Sequence, residues 1–99
     1  MSDEILLKNL IKQGENEQLE FLESVRKESI ARNLCAFLNG DGGRVLVGVS
    51  DKGMPIGIEH AKQYIEELKI FLLEAIVPSA PVTISVENLG FKEFILLKV

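Results

Sequence analysis

The sequence predicts an α+β domain in which a mixed β-sheet packs with three helices. Segments of helical and strand periodicity follow one another in the order α, β, α, β-β, α, β-β, and turn residues join each β-β pair. The 99 residues, 46% of them apolar, suffice for one core, so we expect a single domain over residues 1–99. With two hairpins, the expected sheet has five to six strands.

The first helix and the first strand are short. The helix is predicted over residues 3–13 and ends at Gly14, with apolar residues at helical spacing: Ile5, Leu6, Leu10 and Ile11. Leu19 and Phe21 alternate with polar residues, which predicts a strand over residues 18–23.

A second helix leads into a central strand. Ser24 is a suitable N-cap, and Asn39-Gly40 is a conventional stop, so we expect a helix over residues 24–38. Its core stripe holds four apolar residues: Ile30, Leu34, Phe37 and Leu38. The segment RVLVGV (44–49) is apolar on both faces, as is typical of a central strand.

The second half continues with a hairpin, a helix and another hairpin. Residues 54–58 are expected to return beside the central strand, and Pro55 makes them an edge. A wide apolar stripe predicts a third helix from Glu59 until Pro78. Alternation over residues 82–86 and the apolar run 91–99 predict the final hairpin. The last strand reaches Val99 without a stop, so we expect the natural protein to continue.

Composition excludes several classes of protein. A net charge of −4 argues against a domain whose whole surface binds nucleic acid, although a local basic patch remains compatible with it. Cys35 is the one cysteine, so no internal disulfide is expected and the setting is cytoplasmic. No signal peptide or membrane span is expected. His60 has no cysteine or second histidine nearby, which argues against zinc.

The segment Ala36 to Gly48 contains three glycines within four residues, at a bend that places backbone N–H groups between two buried elements. A phosphate-binding loop has the order strand, glycines, helix, whereas here the glycines follow a helix and open a strand. This order excludes a P-loop or Rossmann site. On spacing alone, helix termination by Gly40 and close packing at Gly42 and Gly43 are favoured over a ligand-binding role.

Charged residues suggest two kinds of site. Converging carboxylates of Glu15, Glu20 and Asp51 would suit Mg²⁺ or Mn²⁺ and phosphodiester cleavage, whereas composition alone favours solvated surface acids. Basic residues would form a patch around the glycine turn and contact phosphates, or belong to an ordinary mixed surface: Arg26, Lys27, Arg32, Arg44 and Lys52.

Two segments, LEFLES and AFLNGDGGRVLVGVSDKGMPIGI, resemble the AlbA-like domain of the Schlafen family, also called the divergent AAA-4 or putative DNA-binding domain. The likeness extends from about Glu15 to the final hairpin. The residues that match the family's motif as structural positions are Asn39, Gly42, Gly43, Gly48, Gly53 and Gly57. Bacterial members resemble N-terminal domains of transcriptional regulators or RecG-related ATP-dependent DNA helicases. The resemblance therefore implies nucleic-acid binding, with ATP handling outside these residues.

The family also includes RNA-cleaving members, whose two glutamates match Glu15 and Glu20 in spacing. Of the family's Gly-Val-Asp-Asp, the first aspartate is Ser50 here and the second is Asp51. Leu22 replaces the usual lysine after Glu-Phe. These departures favour binding without cleavage, so we expect no enzyme activity and no cofactor in this domain.

Three hypotheses follow from the sequence. The leading one is binding of DNA, or alternatively of RNA, through backbone contacts near the glycine turn. The second is a nuclease that uses Mg²⁺ or Mn²⁺. The third is an interaction or homodimerisation module, in which the edge of the last strand pairs with another chain.

Overall fold

The computed structural model describes residues 2–75 and 81–99. Within these ranges the chain forms three helices and four strands, which confirms the α+β class. In chain order the elements are α1 (Ser2–Gln13), β1 (Leu19–Leu22), α2 (Lys27–Leu38), β2 (Arg44–Val47), α3 (Ala61–Ala75), β3 (Thr83–Leu89) and β4 (Lys92–Lys98).

The four strands form one mixed sheet with the order β1-β2-β4-β3. β1 and β2 are parallel, with Leu22 beside Val47, whereas β4 runs antiparallel to both β2 and β3. Because β1 and β2 run in the same direction, their carboxyl ends lie together at one end of the sheet. α2, which connects them, therefore has its amino end at that end of the sheet.

Helices cover the two faces of the sheet, and each face has its own core. On one face, buried residues of α2 and α3 pack against Val45 and Val47 of β2. On the other face, Leu7 and Leu10 of α1 pack against a second set that includes Leu46. The central position and two apolar faces predicted for residues 44–49 are confirmed, because alternate residues of β2 enter opposite cores.

The predicted strand count of five to six is too high. The segment 54–58 makes a single β-bridge, between Val49 and Pro55, instead of a strand. Proline has no N–H to continue the ladder, and the next two N–H groups, of Ile56 and Gly57, both donate to the Gly48 carbonyl at 2.8 Å. This convergence turns the segment across the end of the sheet.

Helix limits and faces differ from prediction at three places. α2 begins at Lys27, after an extended Arg26, so Ser24 is not its N-cap. α3 begins at Ala61, after His60 with a φ of 59°, and its predicted end at Pro78 lies outside the described residues. In α1 the core face holds two leucines, at positions 7 and 10, whereas two predicted members of that face are exposed: Ile5 and Leu6.

The last strand is not a sheet edge. β4 lies between β2 and β3, so both of its edges are paired. It therefore has no free edge with which to pair with another chain, as the predicted dimer requires. Within the described residues, no helix is long and apolar enough to cross a membrane.

Candidate nucleic-acid interface

The carboxyl ends of β1 and β2 and the amino end of α2 enclose a cavity of about 480 Å³. We call this region the carboxyl end. In open sheets, ligands bind in the crevice outside the carboxyl ends of parallel strands. The cavity is lined by Phe21, Leu22, Glu23, Ser24, Arg26, Ser29, Asp51 and Ile56.

The amino end of α2 faces this region without a side-chain cap. Arg26 is the N-cap residue and makes no capping hydrogen bond through its side chain. An α-helix leaves its first N–H groups without intrahelical partners, and its dipole makes this end attractive to anions. Arg26 lines the cavity, and its side chain makes no ion pair with any described residue. Ser24 and Ser29 add hydroxyl groups to the same wall. The arrangement suits a phosphate oxygen.

A tight turn after β2 fixes which carboxylate reaches the cavity. The Ser50 hydroxyl accepts the N–H groups of Lys52 at 3.3 Å and Met54 at 3.1 Å, so it holds the turn together. The Gly53 N–H completes the turn by donating to the Ser50 carbonyl at 2.9 Å. Asp51 is exposed and lines the cavity. Position 50 therefore has a structural role, whereas position 51 is exposed and lines the cavity.

Glu15 and Glu20 lie together at the outer edge of β1. Glu15 accepts the Phe21 N–H at 2.9 Å, and Asn16 pairs with Leu19 through backbone hydrogen bonds, so this loop folds back on the edge. Burial raises the pKa of the Glu20 carboxyl above its usual range, and the hydrogen bond with Glu15 and the charge of Glu15 raise that pKa further.

The predicted trio of acids does not form a metal site. Glu15 and Glu20 are in contact, but no group of three histidine, cysteine, aspartate or glutamate side chains among residues 2–75 and 81–99 could hold a metal ion. Asp51 lines the cavity with Glu23 instead. The residues present therefore do not fit Mg²⁺ or Mn²⁺ bound by these three carboxylates.

The five basic residues do not lie together. Arg26 and Lys52 lie at the carboxyl end. Arg44 begins β2, at the opposite end of the sheet, beside Lys98 of β4. Lys27 forms a salt bridge with Glu67 of α3, with 2.9 Å between Nζ and Oε1. Arg32 is exposed in the middle of α2. No single patch surrounds the glycine turn.

At the opposite end of the sheet, which we call the glycine end, packing accounts for the glycines. A Cβ on Gly42, where φ is +87°, would lie 2.7 Å from the Val99 carbonyl oxygen, and a Cβ on Gly43 would lie 2.6 Å from the Phe37 ring. The N–H groups of Gly40 and Gly42 donate to the Phe37 carbonyl, and that of Gly43 donates to Val99. These amides are already used by the protein and are not free for a phosphate.

The cavity beside the glycine end is also unsuited to an anion. It has about 480 Å³ and is lined by two acidic residues, Glu17 and Asp41. The other described lining residues are uncharged: Gln13, Asn16, Gln18, Ala36, Phe37, Gly40 and Gly42.

The other motif glycines shape the carboxyl end. Gly48 has a φ of +115°, and a Cβ there would lie 2.7 Å from the Phe94 ring and 3.3 Å from the Cα of Gly57. Gly57 has a φ of +86°, and Gly53 a φ of +84° in the Ser50 turn. These conformations carry the chain sharply across the ends of β1 and β2.

The sequence model of the family described as "Schlafen, AlbA_2" matches residues 15–99. The chain belongs to the Schlafen AlbA_2 family. This membership confirms the resemblance seen in the two motifs and is consistent with a domain whose work concerns nucleic acid. Ser50, which the resemblance matches to the first aspartate of the family's motif, is the turn-holding residue described above.

Sequence reasoning missed two features of this end of the sheet. The first is Ser29, which lies in the first turn of α2 because the helix begins at Lys27. The sequence places Ser29 within a helix but does not show where that helix begins. Phe91 is fully exposed at the tip of the β3-β4 hairpin. Its exposure could have been predicted, because a large apolar residue directly after Gly90 lies in a hairpin turn.

Proposed function

We propose that this chain is a nucleic-acid-binding domain that contacts the phosphate backbone of DNA at the carboxyl end. The observation that carries the proposal is Arg26, which lines the cavity as the N-cap residue of α2 and leaves the amino end of that helix without a side-chain cap. A guanidinium group and helix amides together are a common way to hold a phosphate. Lys52, exposed in the neighbouring turn, is a second contact.

The carboxylates of the cavity limit the strength of this binding. Glu23 and Asp51 line the same cavity as Arg26, and both side chains would repel a phosphate that entered it deeply. The phosphate therefore sits at the rim, on Arg26 and the helix end. Such a domain binds weakly alone and suits a larger helicase-related protein or transcriptional regulator in the cytoplasm.

Salt-titrated binding to labelled duplex and single-stranded DNA tests the proposal. The affinity should fall with rising salt, and Arg26→Gln should reduce the slope of log affinity against log salt by about one. Lys27→Gln is the matched control, because Lys27 is already paired with Glu67. Absence of binding at low salt would overturn the proposal.

Asp51→Asn separates binding from cleavage. If Asp51 only repels phosphate, the variant should bind DNA several-fold more tightly than the wild type. If Asp51 acts in cleavage, incubation of labelled RNA and DNA with Mn²⁺ should show activity in the wild type that the variant loses. We expect tighter binding and no cleavage by either protein.

Self-association through β3 is a second candidate function. β3 is a seven-residue strand at the edge of the sheet, paired only with β4 among the described residues, and it contains neither lysine nor proline to discourage pairing. Light scattering over a range of concentrations tests it: a mass that stays monomeric at high concentration would exclude this function.

A further inference from the structure

A second cleft opens beside the carboxyl end. It has about 720 Å³ and lies between the segment 56–60 and the β3-β4 hairpin. Ile56, which is 47% exposed, lines both this cleft and the cavity that contains Arg26, so the two recesses are neighbours. A ligand held at Arg26 can therefore extend into the cleft.

The cleft presents an aromatic ring to solvent. Phe91 lines it and is fully exposed, so one face of the ring is available to a planar ligand. The Gly90-Phe91 turn joins the two longest strands of the sheet, which pair along seven residues and fix the backbone position of Phe91. Burial of an exposed phenylalanine against a flat partner is favourable without any change in the fold.

The charges of the cleft decide which part of a nucleic acid it would take. Glu59 and Glu93 line it, and the one lysine there, Lys92, donates its Nζ to the Pro55 carbonyl at 2.8 Å. Two carboxylates disfavour a phosphate. An uncharged base, in contrast, can stack on Phe91 and use polar groups such as Asn88 at its edge.

We infer that the cleft is a stacking site for an unpaired base, so that the carboxyl end prefers single-stranded nucleic acid over duplex. This inference rests on the proposed function, because Arg26 supplies the adjacent phosphate contact. In a duplex the bases are stacked on one another and closed to an aromatic side chain, whereas a single strand can turn one base out.

Anisotropy titrations with fluorescein-labelled oligothymidylate, and with a duplex of the same length, test the inference. Phe91→Ala should weaken single-strand binding by about 5- to 160-fold and leave duplex binding unchanged. Phe91→Tyr should retain the single-strand affinity. Leu73→Ala is the matched control, because Leu73 is 71% exposed on α3 and lines neither recess.

The outcomes separate the two proposals. Equal binding of single strand and duplex, with no effect of Phe91→Ala, would overturn the stacking site and leave the phosphate contact intact. Loss of all binding in Arg26→Gln, together with wild-type affinity in Phe91→Ala, would likewise overturn the stacking site alone. No binding of either probe by the wild type would overturn both proposals.

Discussion

The two ends of the sheet differ in what their backbone amides do. At the glycine end, the N–H groups of Gly42 and Gly43 donate to carbonyls of the protein, and carboxylates line the adjoining cavity. At the carboxyl end, the first turn of α2 has no side-chain cap and Arg26 stands beside it. The conspicuous glycines thus serve packing, and the less conspicuous start of the same helix is where we propose that nucleic acid binds.

The largest effect expected at the glycine end is on stability. Gly42→Ala adds a Cβ 2.7 Å from a backbone oxygen at a positive φ, so it should lower the free energy of unfolding by about 2–4 kcal/mol. Gly40→Ala is the matched control, since its Cβ would meet nothing closer than 3.8 Å. Urea denaturation measures both; equal, small losses would show that packing does not require Gly42.

The turn at the carboxyl end should depend on a hydroxyl. Ser50→Ala removes the acceptor of two backbone N–H groups and should cost about 1 kcal/mol. Ser50→Asp restores the family's residue and an acceptor, so its unfolding free energy should match the wild type. If Ser50→Ala melts at the wild-type temperature, the turn does not rely on this side chain.

A smaller, pH-dependent effect is expected at Glu20. Because the pKa of Glu20 is raised in the folded chain, the folded state keeps the carboxyl proton to a higher pH than the unfolded state does. The free energy of unfolding therefore falls as pH rises above the usual glutamate range. Glu20→Gln should therefore be more stable than the wild type at pH 7, by about 0.5 kcal/mol, the scale of an exposed charge interaction.

Thermal melts of both proteins between acid and neutral pH check this prediction. The advantage of the Glu20→Gln variant should shrink toward acid pH, where the wild-type carboxyl is protonated in both states. An advantage that is independent of pH would show that the pKa of Glu20 is not raised in the folded chain.

The smallest effect is expected at the pair that joins α2 to α3. Lys27 and Glu67 are both substantially exposed, so Lys27→Met should change the unfolding free energy by less than about 0.5 kcal/mol. In the double variant with Glu67→Leu, the change in unfolding free energy should equal the sum of the two single changes, within the error of chemical denaturation. A coupling energy well above that value would indicate that this pair holds the start of α2 in place.

Local patterns predict most of the elements. The continuous apolar run that lets β2 place Val45 and Val47 in one core and Leu46 in the other is visible in the sequence, as is the hairpin of β3 and β4. The prediction of a strand over 54–58 is wrong. The apolar residues there are typical of a strand, but Pro55 makes only a single bridge, and Gly53 and Gly57 have positive φ values that turn the chain across the end of the sheet.

The site is less predictable because it depends on tertiary arrangement. Parallel pairing of β1 with β2 sends Arg26 and Arg44 to opposite ends of the sheet, and no local pattern contains that register. The contact between Glu15 and Glu20 arises because the loop before β1 folds back along its edge. The spacing of the acids matches Glu15, Glu20 and Asp51 to the motif, but it does not show that Asp51 lies apart from the two glutamates.

Charge reversal at the two ends tests the central claim most directly. Arg26→Glu and Arg44→Glu change the net charge equally, and Arg44→Glu should fold well because it places an acid beside Lys98. In anisotropy titrations with single-stranded DNA at low salt, Arg26→Glu should weaken binding about 10-fold or more, and Arg44→Glu should bind nearly as tightly as the wild type. Equal losses, or a larger loss with Arg44→Glu, would contradict a binding site at the carboxyl end.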